Sequence, residues 1–323
     1  MAITPKRFVI DTDVGVDDAF ALAYMAAQPE AAEVVAIGSV HGNVPARVGA
    51  DNALRMLERL DLPHVPVAVG ANLPLNGARL RSGQHVHGSD GLSGHAGPPA
   101  RSAVVEETAA QQLVRLTQRN PGELSLLALG PLTNIALALR AEPRLPELIR
   151  EVTWMGGAVA VPGNITSYAD ANTWHDPEAA EQVLAAGFTI TMVPLDATNQ
   201  AWAGQGWWDA VAMHDHPLAR YTTAVASHYV QRYSAGRGRV LGENGCLMHD
   251  PLTAAIALDP GLATCEKHQI VVELTGTHTR GTTVVDRRIR PAPLSVDKRR
   301  AATIAMSADV GTMLSRLHKA VLL

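Results

Sequence analysis

Asp11-Thr12-Asp13-Val14-Gly15-Val16-Asp17-Asp18 is the stretch on which the reading of this chain turns. It holds four carboxylates in eight residues. The apolar run Phe8-Val9-Ile10 leads in, and Ala19-Phe20-Ala21-Leu22-Ala23-Tyr24-Met25 leads out with helical periodicity. The pattern predicts a strand, a short turn and a helix. In an open α/β sheet, ligands bind beyond the carboxyl ends of the strands, so the cluster falls where a site is expected. Like charges this close repel unless a cation neutralises them, and carboxylate oxygens suit a hard cation such as Ca²⁺ or Mg²⁺. Singly, Asp11 and Asp13 are ordinary turn residues, and Asp17 and Asp18 are ordinary first-turn acids that complement the helix dipole. The full set at one strand-to-helix junction reads as a metal site.

Outward from this junction the pattern repeats. Residues 33–40 form a near-continuous apolar run, as in a parallel strand buried on both faces, and end at His41-Gly42-Asn43. A helix follows over about 45–60, then a strand at 65–69, a helix at 106–120 and a strand at 124–129 closed by Gly130-Pro131. Next come a helix at 135–140, a strand at 151–155 ending in Gly156-Gly157, and a polar loop at 163–175. Asp176-Pro177 opens a helix that stops at Gly187, with a strand at 188–193. Alternation over 7–196 predicts a doubly wound, mostly parallel sheet. Beyond residue 200, helices are expected at 205–213 and 217–235, a glycine-rich turn at 236–239, and a helix at 252–258. Strand-like runs at 270–274 and 282–286, a strand at 302–306 and a closing helix at 310–322 complete the chain. The glycine-rich turn follows a helix and is not a dinucleotide fingerprint. Without repeats or low-complexity linkers, one domain over 1–323 is the simplest count.

Residues 71–102 differ, being rich in Gly, Pro, Ser and His. A loop this long in a compact domain is usually functional, often a lid. A mobile surface loop with incidental histidines, His85 and His87, fits the sequence equally well.

Composition narrows the function classes. The 323 residues are 47% hydrophobic and 18% charged, which predicts a soluble globular protein with a large core. Net charge is −4 and there is no basic run, so neither nucleic acid nor an acidic membrane is the expected partner. No apolar run is long enough to span a bilayer, and the first residues lack a signal-peptide pattern. Cys246 and Cys265 have neither metal spacing nor a disulfide framework, consistent with a reducing compartment. A cytoplasmic location is expected.

The polar residues at predicted strand ends and helix starts are Asp11, Asp13, Asp17, Asp18, Asn43, Asn164, Asp170, Asn172, His249 and Asp250. There is no nucleophile elbow, phosphate loop or His-Glu-x-x-His motif. Carboxylates with amides suit a polyhydroxylated ligand, such as a sugar, held with a hard metal.

With these residues in view, the chain resembles the inosine–uridine-preferring nucleoside hydrolases over nearly its whole length. The resemblance rests on the eight residues 11–18, Gly42-Asn43, His87-Gly-Ser-Asp-Gly-Leu92, Leu129-Gly-Pro-Leu-Thr-Asn134 and Met155-Gly-Gly157. It continues through Gly163-Asn164 with Ala169-Asp-Ala-Asn172, Asp176-Pro-Glu-Ala-Ala180 and His249-Asp250. It implies a single-domain, Rossmann-like α/β fold and assembly as a homodimer or homotetramer. It also implies Ca²⁺ held by the side chains of Asp13, Asp18 and Asp250 and by the backbone carbonyl of Leu129. Ribose hydroxyls and a water would complete the roughly six to eight oxygens that Ca²⁺ takes. Asp17, Asn43 and Asn172 would hold the ribose hydroxyls, Asn164 and Asp170 would face the 5′-hydroxyl, and Met155 would lie against the sugar. Asp11 would orient the metal loop. His87 joins the substrate-binding candidates through its motif.

The implied reaction is hydrolysis of a ribonucleoside N-glycosidic bond to base and ribose. Cleavage builds positive charge on the ribose, which a carboxylate-rich pocket stabilises. A bound metal acidifies its water, Asp13 would take the proton, and His249 would serve the departing base as acid. Family members often carry Glu at the position of Asp170 and an aromatic residue at that of Ala171, with Trp174 as a substitute ring here. Both differences bear on the 5′-hydroxyl. Tyr229 and Tyr233 share a predicted helix face and could contact the base or simply fill core. Two other readings compete. One is an aspartate-nucleophile phosphatase of haloacid-dehalogenase type, with Asp11 as nucleophile and Asp13 as acid. The other is a nucleoside-binding protein that has lost turnover.

Overall fold

The computed structural model describes residues 4–78, 82–288 and 299–322. Residues 79–81 of the expected lid and Met1–Ile3 of the leading stretch lie outside the described residues.

Twelve strands are described: β1 (Lys6–Thr12), β2 (Ala32–Ser39), β3 (Val67–Val69), β4 (Leu124–Ala128), β5 (Glu151–Met155), β6 (Ile190–Val193), β7 (Trp202–Gly204), β8 (Gly245–Leu247), β9 (Ala263–His268), β10 (Ile270–Val272), β11 (Thr283–Val285) and β12 (Ala302–Ala308). Eight form the central sheet in the order β3-β2-β1-β4-β5-β6-β12-β9. All neighbours are parallel except β12 and β9. The expected mostly parallel α/β sheet is therefore what forms. The chain winds from β1 outward to β3, then returns to β4 on the other side of β1. That reversal makes the β1/β4 boundary the switch point where a ligand crevice opens.

Successive β1 residues point to opposite faces. Phe8 and Ile10 join one hydrophobic cluster, and Val9 joins the other. The first cluster also takes the helix Val16–Ala26, whose residues Val16 to Met25 are all buried. A helix apolar nearly all round needs cover on every side. The helices Ala46–Arg59, His249–Leu258 and Val310–Ala320 pack around it. Each fully buried Phe or Met side chain here contributes on the order of 1.5–3 kcal/mol, which helps offset the burial of the acids at the helix start. Contact between Val16–Ala26 and His249–Leu258 also fixes the relative placement of Asp17-Asp18 and Asp250.

The second half departs more from expectation. The glycine-rich stretch after the long helix Pro217–Tyr233 is not a turn. It continues as one π-helical turn, Ser234–Gly238, and a short α-helical piece, Arg239–Leu241, that ends at Gly242 in the left-handed region (φ +75°). Glycines leave the backbone free enough to accommodate the wider turn. β9 has the sequence Ala-Thr-Cys-Glu-Lys-His, too polar to read as a strand, because it is the antiparallel edge of the sheet. Among the described residues, no helix is long and apolar enough to cross a membrane.

The 71–102 segment is tied down on both sides of residues 79–81. Ala71 N donates to Asn134 Oδ1 (2.8 Å), and Leu75 N donates to Asp176 Oδ2 (2.8 Å). Asp90 accepts from the backbone of Leu92, Gly94 and Ala96. The helical turn Gln84–His87 turns His87 inward, where it is buried.

Candidate active site

A cavity of about 130 Å³ opens at the carboxyl ends of β1, β4 and β5. Asp17 and Asp250 are on its wall with Asn43, Leu129, Met155, Asn172 and His249. His87, Asn164, Tyr229 and Tyr233 line it as well. Asp13 and Asp18 are buried and do not line it.

One oxygen from each of Asp17, Asp18 and Asp250 falls within 4.8 Å of the others. All three residues are buried. Burial raises each of their pKa values above the ordinary carboxylate range. Asp17 is pushed up to about 8 by burial and then by the charge of Asp18; Asp250 feels burial first, then Asp17, Asp18 and Asp13. Three converging buried carboxylates are a donor set suited to a hard cation; Asp18 and Asp250 are among the ligands the resemblance implied, and the third of the converging set is Asp17, where the resemblance implied Asp13.

Asp13 is held from one side. Asn43 N donates to its Oδ2 at 2.7 Å, and Asn43 Nδ2 donates to its Oδ1 at 3.1 Å. A Cβ on Gly42 would stand 1.9 Å from Asp13 Oδ2, so only glycine lets the two segments approach this closely. Burial, followed by the charge of Asp18, lifts the Asp13 pKa well above normal. Asp18 accepts from Gly15 N (2.7 Å) and from the Thr12 hydroxyl.

Other expected residues are committed differently. Asn172 was expected on ribose hydroxyls, and its amide nitrogen donates to Leu129 O (2.9 Å) and Met155 O (3.0 Å). Its Nδ2 therefore holds two strand ends, while Oδ1 remains for a ligand. Asp170, expected at the 5′-hydroxyl, is 1% exposed and does not line the cavity. Its carboxylate caps the helix Ala171–His175, accepting from Asn172 N, Thr173 N and the Thr173 hydroxyl, and also accepts from Gly157 N. An Asp before a helix start is drawn to that role, leaving Asn164 as the 5′-side candidate on the wall. Trp174 does not replace the missing ring, since it stands against His175 instead of in the cavity.

Val16 N donates to His87 Nδ1 at 3.1 Å, so the proton of His87 sits on Nε2. Its ring is neutral: burial, followed by the charge of His249, holds its pKa near 3. The 3.9 Å approach of Nδ1 to Asp17 is therefore not an ion pair. Tyr229 packs on His87 and on Tyr233, with ring centroids 5.1 and 4.8 Å away, and its hydroxyl donates to Leu247 O. The Tyr233 hydroxyl shares a hydrogen bond of 3.1 Å with His249 Nε2. His249 Nδ1 meets Thr198 Oγ1 at 2.8 Å. Burial, then the nearby Arg237 charge, holds His249 near 4, so its ring is neutral at pH 7.

Ser82, Gly83, His85, Ile165 and His175 also line the cavity and were not singled out from the sequence as site residues. His175 lies three residues after Asn172 on the same short helix, which is the one local signal that pointed to it.

Asp11 turns away from the opening. Its Oδ2 accepts from Asn134 and stands close beneath Gly38, a poor position for a phosphatase nucleophile.

The profile of the family described as inosine-uridine preferring nucleoside hydrolase matches residues 8–315. The chain belongs to this family. It is 33% identical over 317 residues to the inosine-uridine preferring nucleoside hydrolase of Crithidia fasciculata, covering 98% of each chain. It is also 33% identical over 290 residues to the probable uridine nucleosidase 1 of Oryza sativa subsp. japonica, covering 88% of this chain and 86% of the relative. Its fold superposes on a plant nucleoside hydrolase, PpNRh1, with a TM-score of 0.92 and 28% identity, covering 98% of this chain and 99% of the other. The protein is an N-glycosyl hydrolase of ribonucleosides, and the phosphatase reading is set aside.

Proposed function

We propose that the protein hydrolyses ribonucleosides with the help of Ca²⁺ bound at the acidic floor of the cavity. The carrying observation is the convergence of Asp17, Asp18 and Asp250 within 4.8 Å at a cavity whose wall includes Asp17 and Asp250. Asp13, Asp18, Asp250 and the Leu129 carbonyl would hold the cation, with Asp17 close enough to share it or to take a ribose hydroxyl. When bound, the cation neutralises the carboxylates and lowers the pKa of water in contact with it.

The chain's own residues do the rest. Asn43 fixes both oxygens of Asp13, so its carboxylate is aimed to take the proton of the attacking water. Asn43, Asn172 Oδ1 and Asp17 bind the ribose hydroxyls, Met155 lies against the sugar, and Asn164 faces the 5′ end. As the C1′–N bond lengthens, positive charge grows on the ribose and the surrounding carboxylates stabilise it. The base departs with negative charge toward His249, Tyr233 and His87. Neutral His249 and the Tyr233 hydroxyl bonded to it offer the departing base a hydrogen bond that stabilises its negative charge, and the base takes its proton from solvent as it leaves.

The test is a panel of inosine, uridine, cytidine, adenosine and guanosine scored for release of free ribose. Uridine and inosine come first, because the relatives are named for them. Release of ribose from at least one nucleoside is the expected result; none from any of them in excess Ca²⁺ overturns the proposal.

A further inference from the structure

Beyond the base side of the site lies a second cavity of about 340 Å³. It shares Val86, Asn164, Tyr233 and His249 with the first, so the two are continuous. Their electrostatics are opposite. The first has Asp17 and Asp250 on its wall. The second contains no acid among its lining residues and has two guanidinium groups, Arg232 and Arg237. In a chain of net charge −4, this is a local reversal of sign at the mouth of an acidic pocket.

Arg237 is fixed in place. Its Nη2 donates to Asn199 O at 2.8 Å, and Asn199 follows Thr198, which holds His249 Nδ1. The π turn Ser234–Gly238 brings Arg237 to the same cavity as Arg232, which lies in the last turn of the long helix. No hydrogen bond or ion pair engages Arg232 among the described residues. Guanidinium groups present planar pairs of donors that match a carboxylate or phosphate. A neutral nucleoside offers them no charge.

We propose that Arg232 and Arg237 form an anion subsite that selects nucleosides whose base carries an oxyanion, such as a carboxylated pyrimidine. The assignment to the base rests on Tyr233 and His249, which face the departing base and line both cavities; Asn164, on the 5′ side, also lines both, and the 5′-monophosphate arm of the experiment separates the two. The inference rests on the nucleoside hydrolase reading of the first cavity.

The experiment measures kcat/KM and calorimetric binding for uridine, a base-carboxylated uridine and uridine 5′-monophosphate. The proteins are wild type, Arg232→Gln/Arg237→Gln and Arg237→Lys. The double variant should lose about 10-fold or more in its preference for the carboxylated nucleoside over uridine, the size expected for a charge-assisted contact. Arg237→Lys should recover part of the loss, because it keeps the charge. Equal losses on both nucleosides, or refusal of the carboxylated one by wild type, overturn the subsite. A loss confined to the 5′-monophosphate overturns its assignment to the base. Arginine-dependent binding of the carboxylated nucleoside without turnover supports the subsite and removes the hydrolase reading. Turnover of uridine with no arginine-dependent preference does the reverse.

Discussion

Asn134 Nδ2 donates to Asp11 Oδ2 at 2.8 Å, from the start of one helix to the end of the first strand. The same nitrogen donates to Ser39 O at 2.8 Å, and Asn134 Oδ1 accepts from Ala71 N at 2.8 Å. One buried amide thus pins the exits of β1, β2 and β3 together. Asp11, whose pKa burial raises to about 7, depends on it as its one side-chain partner among the described residues. Asn134→Ala removes the partner of two buried groups, Asp11 Oδ2 and Ser39 O, and of the half-buried Ala71 N, at a cost of about 1–3 kcal/mol for each buried group before relaxation. We expect a loss of several kcal/mol in urea unfolding and a fall in kcat that Ca²⁺ excess does not restore. Unchanged stability and kcat would remove the clamp from the account.

Asp13 carries a prediction with opposite signs in two assays. Burial does most to raise its pKa, and the negative charges of Asp18 and Asp17 add to it. Asp13→Asn removes a negative charge while keeping the shape. Ribose release should fall about 10²–10⁴-fold, the usual contribution of a general base. Thermal stability in chelator should rise, because one source of repulsion is gone. A variant with near wild-type turnover would refute the proposed role.

How far the sequence carried the reading depends on which forces act locally. The 11–18 junction was legible because β1 and the following helix obey simple periodicities and their acids are adjacent in the chain. Asp250 was legible as an acid at a helix start, but its place at the metal came only through resemblance, since its approach to Asp18 is made by packing between the helices Val16–Ala26 and His249–Leu258. Asp170 was ambiguous because a helix cap and a ligand contact have the same local signature, a carboxylate before a helix, and its capping bonds became visible only in the fold. His175 passed unnoticed because its one local signal, a place three residues after Asn172, does not separate a cavity wall from core. β9 stayed hidden because an edge strand needs no apolar alternation.

Cation binding should appear in folding as well as in turnover. A ligand that binds only the native state stabilises it by RT ln(1 + [L]/Kd), about 2.7 kcal/mol at 100 times Kd. Chelation should therefore silence ribose release and lower the melting temperature, and Ca²⁺ should restore both. Full activity after prolonged dialysis against chelator would take the metal out of the mechanism.

His41 gives a pH signature outside the acidic cluster. Its Nε2 meets Thr133 Oγ1 at 3.0 Å, and the Thr133 hydroxyl donates to Asp176 Oδ2 at 2.7 Å. His175 stands with its ring centroid 6.4 Å away. Burial, followed by the His175 charge, lowers the His41 pKa from 6.5 to about 4. Between these values the unfolded chain binds the proton and the folded chain does not, so stability falls as pH drops from about 6.5 toward 4. A depression of this size corresponds to about 3 kcal/mol at most. His41→Gln keeps a donor for Thr133 but does not titrate. Urea unfolding from pH 4 to 8 should show the wild-type advantage over the variant growing with pH through that window and levelling above 7. A difference independent of pH would mean that His41 titrates normally in the folded protein.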